Sequence, residues 1–111
     1  MDVSPEFGSA VYVELWVSLA SLLRSYTAVH GLNGDRQATV ELGEELITVR
    51  HGDAWLELKR KDAHITWNRD DGRNGMLVMT EAGRLRSDGA SGVREEEMDM
   101  AAEAWARELM V

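Results

Sequence analysis

The side chains of this 111-residue sequence that could do chemistry are three histidines, one carboxylate-rich loop and one acidic stretch near the end. His30, His51 and His64 are joined by no HxxxH or HExxH spacing, and there is no cysteine. The sequence therefore has no recognisable zinc pattern and no thiolate nucleophile. His51 stands two residues before Asp53, a carboxylate that could orient the imidazole as a general base. The Gly52-Asp53 turn between the flanking strands presents such residues to water, so catalysis is not expected there. No serine occupies a GxSxG elbow. The loop Asn68 to Gly75 carries oxygen ligands of the kind calcium prefers, but glycine falls where a ligand should be and Arg69 and Arg73 add opposing charge. No lysine-serine or lysine-threonine pair follows its glycines, which excludes a phosphate loop. Glu96, Asp99 and Glu103, with Glu95 beside them, fall on one side of the C-terminal helical stretch. Carboxylates so placed hold a hard cation, face a basic partner or sit in water. The expectation is a protein that is not an enzyme, with no metal site and no cofactor.

The elements that position these residues are read from periodicity. From Tyr12 to His30, Tyr12, Leu15, Trp16, Leu19, Leu22, Leu23 and Tyr26 recur at steps of three and four, one face of a helix. Val13, Val17 and Ala20 widen that face, so the helix needs cover on more than one side. His30-Gly31 closes it, Leu32 folds back on the cap, and Asn33-Gly34-Asp35 is a turn. Ser4 to Ser9 has the look of a translated cloning linker or a disordered lead-in covering residues 1–10; if native, Ser4 and Pro5 suit a helix start.

From Gln37 to Ser87 the period becomes two. Strands are expected at 37–42, 46–51, 54–59, 64–68 and 76–80, with a last short one around Leu85. The short turns between them require antiparallel pairing. Asp88 to Gly92 reads as a flexible link, and Val93 to Met110 as a helix with Met98, Ala101, Ala102, Trp105 and Leu109 in its apolar stripe. Glu95, Glu96 and Glu97 would then sit in its first turn. The fold class is α+β: one domain over 1–111, an antiparallel β-meander of five to six strands with an N-terminal and a C-terminal helix packed on one face.

Composition bounds the partners. The formal net charge is −8, which argues against nucleic acid as a general partner. Residues 1–49 and 74–111 are acidic, whereas 50–73 carries six basic and five acidic side chains. The longest apolar-rich run, Val11 to Leu23, is broken by Glu14, Ser18 and Ser21 and is too short to span a bilayer. No membrane contact is expected, and a cytoplasmic location follows from the missing cysteines and the absence of a signal-like start.

The order helix, meander, helix over Leu15 to Leu109, with Ile65-Thr66-Trp67 on a strand, is similar to that of frataxin-like proteins. That resemblance implies metal handling through an acidic ridge on the first helix. Here that helix offers little beyond Glu14, and the acids lie mainly on the last helical stretch. Cystatin-like folds and several bacterial immunity-protein folds share the same element order.

Two surfaces stand out as candidates for binding. If Leu56 and Leu58 face the helices, Trp55 lies on the opposite side of the sheet with Glu57 and Lys59; with the opposite phase, Trp55 and Trp67 are core. Trp55, Glu57, Lys59 and Met110 are the interface candidates. A pocket under the central helix would be lined by Trp16, Tyr26, Trp67 and Met79. The function expected is a small protein-binding module, either a homodimer or an inhibitor or immunity-type protein for a basic partner. The alternatives are a small-ligand binder using that pocket and a metal-handling protein. With the carboxylates spread along a surface helix and the histidines scattered, calorimetric titration with calcium, zinc or ferrous iron is expected to show no stoichiometric site; micromolar or tighter binding would overturn this.

Overall fold

Alternation along the strands decides how this chain folds, because each residue step moves a side chain to the other face of a sheet. In the computed structural model, which describes residues 4–31, 37–89 and 92–110, seven strands follow one another. They are β1 (Thr39–Leu42), β2 (Leu46–His51), β3 (Ala54–Lys61), β4 (His64–Arg69), β5 (Asn74–Met79), β6 (Arg84–Gly89) and β7 (Gly92–Glu97). They form one antiparallel sheet in chain order. Helix α1 (Ser4–His30) precedes the sheet and α2 (Met98–Leu109) follows it. The layout is α+β.

Ile47 pairs with Leu58 and Val49 with Leu56, and all four are fully buried. Leu58 stands opposite Trp67 and Ile65 opposite Leu77, which continues the same apolar face across β4 and β5. Met79 and Leu85 extend it to β6. Onto this face α1 packs Trp16, Leu19, Ala20 and Leu23, and α2 packs Met98, Ala101, Ala102 and Leu109. The two helices run in the same direction. Tyr26 donates its hydroxyl to Asp99 (2.6 Å), and four residues further along each helix His30 meets Glu103 (2.8 Å).

Trp16 fastens α1 to the sheet. Its indole N–H donates to the Gly43 carbonyl in the β1–β2 turn (2.9 Å), and the Arg60 guanidinium lies 5.9 Å from its ring centroid. Gly75 is required by packing: a Cβ there would come within 2.6 Å of the Trp67 indole nitrogen. The Trp67 ring in turn meets Trp105 of α2 edge-on, centroids 6.2 Å apart. At the β2–β3 hairpin, Gly52 takes a positive φ of 64°, as a two-residue turn demands.

The structure departs from the periodicity reading in the last third of the chain. There are seven strands where five to six were expected. The expected link from Asp88 to Gly92 is largely strand, with β6 reaching Gly89 and β7 starting at Gly92. The last helix begins at Met98 rather than Val93, so Glu95, Glu96 and Glu97 lie on β7. Glutamate favours helices, but Arg84 pairs with Glu97 and Arg86 with Glu95 across the β6–β7 ladder, and opposite charges on facing strands reward pairing. At the other end, α1 starts at Ser4 with Pro5 in its first turn, so residues from Ser4 onward are helix rather than a disordered lead-in. The Gly31 N–H donates to the Thr27 carbonyl and closes α1 as expected. Leu32 and the Asn33-Gly34-Asp35 turn lie outside the described residues.

Trp16 is 1% exposed and contributes both a large apolar surface and a hydrogen bond to the core. Trp16→Ala is expected to cost about 3–5 kcal/mol in urea denaturation. A loss below about 1 kcal/mol would show that α1 is not held this way.

Candidate interaction surface

Both helices lie on one side of the sheet, so the residues of opposite parity form a face that no described element covers. Along β2 to β5 this open face carries Leu46, Thr48, Arg50, Trp55, Glu57, Lys59, Lys61, His64, Thr66, Asn68, Asn74, Met76 and Val78 in cross-strand register. Trp55 is 38% exposed, Leu46 39% and Met76 68%. An antiparallel sheet tolerates one wet face, but large apolar side chains there are a contact signature. Trp55 therefore lies opposite the core, and its cross-strand neighbour is Arg50. Trp67 lies on the helix side. The two tryptophans, whose phases the sequence left open, sit on opposite faces.

Glu57 and Lys59 share the open face with Trp55 and pair loosely with each other (3.8 Å). Met110 does not join them: its methyl group lies against Gly31 at the C-terminal end of α1. The four pocket candidates are also dispersed. Trp16 and Met79 are buried in the core, Tyr26 bonds Asp99 on α2, and Trp67 packs on Trp105. Two clefts flank α1 instead. One of about 480 Å³ lies between Arg24, Thr27, Ala28, Ala38 and Val40, and one of about 540 Å³ between Val13, Trp16, Val17, Leu42 and Arg60. Trp16 lines the second; Tyr26, Trp67 and Met79 line neither.

His30, His51, Asp99 and Glu103 are occupied elsewhere, while His64 stands on the open face. His51 Nδ1 faces the Leu109 carbonyl (3.2 Å), tying the β2–β3 hairpin to the end of α2. Glu96 is on β7, Asp99 accepts from Tyr26, and Glu103 holds both His30 and Arg107 (2.8 Å each). Among the described residues, no three histidine, aspartate or glutamate side chains gather as metal ligands. The hydrogen bond to Asp99 also raises the Tyr26 phenol above its ordinary range.

The Asn68 to Gly75 segment satisfies its own carboxylates. Arg69, only 6% exposed at its side chain, donates to Glu108 on α2 (3.0 Å) and to Asp70 (3.2 Å). Arg73 donates to Asp71 (2.7 Å) and to the same Glu108 (2.9 Å). This network clamps the β4–β5 turn onto α2. It was missed in the sequence, although Arg69 shares the parity of Ile65 and Trp67 and so had to face the helices. The Trp55 N–H donates to Asp70 (3.1 Å) and is the main reason that this carboxyl is held below the ordinary carboxylate range, with Arg69 adding to it. The Arg73 N–H, followed by its guanidinium, does the same for Asp71.

No protein-family model, curated protein or solved structure matches this chain. The similarity to frataxin-like proteins stays at the level of element order, which carries no activity.

The lowered carboxyls set a direction for pH dependence. A group whose folded pKa lies below its unfolded one contributes stability above the unfolded pKa and loses it as pH falls through the folded value. Acidification below the ordinary carboxylate range is thus expected to weaken the fold, and Asp70→Asn with Asp71→Asn to flatten that loss in urea titrations. An unchanged slope would show that these two carboxyls do not carry it.

Proposed function

We propose that this chain is a non-enzymatic protein-binding module whose contact surface is the open face of the sheet. The observation behind the reading is Trp55, whose backbone N–H donates to Asp70 and whose side chain is exposed beside Arg50 on a face that no described element covers. Tryptophan and arginine are the side chains most enriched where binding energy concentrates. Among the described residues, no cluster of metal-ligating side chains competes for the surface. A displayed peptide library selected on the wild-type protein and counter-selected on Trp55→Glu tests this. Peptides enriched on the wild type alone are expected. Equal enrichment on a folded Trp55→Glu protein, or none on either, would overturn the reading.

A second reading is self-association, and the flank of the molecule favours it. Val13, Val17 and Leu42 are exposed side by side where α1 leaves β1 uncovered. A homodimer through this flank would sediment at twice the 12.4 kDa chain mass at micromolar concentration, and Val17→Glu would return it to the monomer with the fold intact. A wild-type monomer at that concentration would remove it.

A further inference from the structure

The open face has the opposite sign to the protein that carries it. The chain bears a net charge of −8. Yet the register places five cations on the open face of β2 to β6, Arg50, Lys59, Lys61, Arg84 and Arg86, against two acids, Glu57 and, near the end of β6, Asp88. Acids bracket this band rather than fill it, with Glu41 on β1 and Glu95 and Glu97 on β7. Glu97 engages Arg84 at 3.6 Å and Glu57 engages Lys59 at 3.8 Å, while Arg50, Lys61 and Arg86 make no ion pair within 4 Å among the described residues, although Arg86 faces Glu95 in the ladder.

The cations are interleaved with apolar groups in two neighbouring rows. Lys61, His64, Val78 and Arg86 are successive cross-strand partners over β3 to β6. Leu46, Lys59, Thr66 and Met76 form the next row, over β2 to β5. Residues two apart on a strand are separated by about 7 Å, so a ligand lying across the strands meets both rows at once.

We infer that the partner of this face is an acidic, amphipathic polypeptide segment, whose carboxylates meet Lys59, Lys61 and Arg86 while its apolar side chains cover Leu46, Met76 and Val78. The inference rests on the proposed protein-binding role and specifies the chemistry of the partner. Charge complementarity selects it over a basic protein, which this face would repel. It also selects against a second copy bound face to face, since a two-fold contact would bring two surfaces of the same sign together. Single-stranded nucleic acid shares the charge, but successive bases stack on aromatic platforms. Between these cations stand Leu46, Thr66, Met76 and Val78 and a single small ring, His64, with no tyrosine, phenylalanine or tryptophan among them, and Trp55 stands about 13 Å along β3 from Lys59.

Fluorescence anisotropy with a labelled peptide carrying glutamate and leucine in a helical repeat tests the inference on the full chain. The comparators are the same peptide with glutamine or lysine in place of glutamate, and an oligothymidylate. The glutamate peptide is expected to bind at least about tenfold more tightly than the glutamine one, and more weakly as salt is added. The Lys59→Glu, Lys61→Glu, Arg86→Glu triple variant should lose that preference with an unchanged circular dichroism melt. If it fails to fold, the corresponding glutamine substitutions replace it, with the same loss expected. A glutamate peptide bound no better than the glutamine one, or equally by a folded variant, would overturn the inference. Trp55-dependent binding of the glutamine or lysine peptide would then leave the protein-binding role standing with a different partner, whereas oligothymidylate bound in preference to every peptide would overturn both.

Discussion

One-sided cover of the sheet is the constraint from which the rest of this structure follows. Seven strands at about 4.8 Å spacing make a surface roughly 29 Å across, while two helices side by side cover about 20 Å. α1 and α2 therefore shield the inner strands of one face and leave the rest to water. The burial pattern obeys this closely. Ile47, Val49, Leu56, Leu58 and Ile65 are excluded from solvent, whereas every residue of β7 and most of β1 are exposed.

With so little helix to hold so wide a sheet, polar ties at the perimeter matter. Trp16 to Gly43 fixes the middle of α1 over the first hairpin, and Arg60 covers the ring from the third strand. Tyr26 to Asp99 and His30 to Glu103 hold the C-terminal end of α1 beside the first half of α2. Arg69 and Arg73 converge on Glu108, and His51 reaches the Leu109 carbonyl, so the end of α2 is joined to two separate turns of the sheet. These bonds occupy most of the side chains that looked chemical in the sequence, which is why their types are suggestive and their positions are architectural. Arg24 adds a different kind of tie: it reaches the Val40 carbonyl on the edge strand (3.4 Å), a charged cover that discourages edge-to-edge pairing.

The same constraint frames function. A covered face needs apolar residues and an uncovered one does not, so Trp55, Leu46 and Met76 on the uncovered side have no role in the described core. Their placement among lysines and arginines, in a chain whose acids lie mainly elsewhere, separates the surface into regions of opposite sign. Such separation orients a charged partner before contact and limits which partners fit.

The central helix, the two-residue period of the middle strands and the burial of Trp16 are legible from residue order alone. These depend on local spacing, and β2 keeps the expected bounds, 46–51. Leu56 and Leu58 against Trp55 left two phases open, because β3 has large apolar residues at both parities. Packing resolves the choice: the helices occupy the Leu56 and Leu58 side, and Gly75 makes room there for the Trp67 ring. The glutamates at 95–97 misled for a related reason. Their intrinsic preference is helical, and the arginines that draw them into a strand lie about ten residues away on β6, where a local window does not reach. The charge of the open face was equally hidden, since lysines and arginines scattered from Arg50 to Arg86 become neighbours only when five strands align. Periodicity says which residues share a face of their own strand; the face that ends up in water is set by where the helices pack.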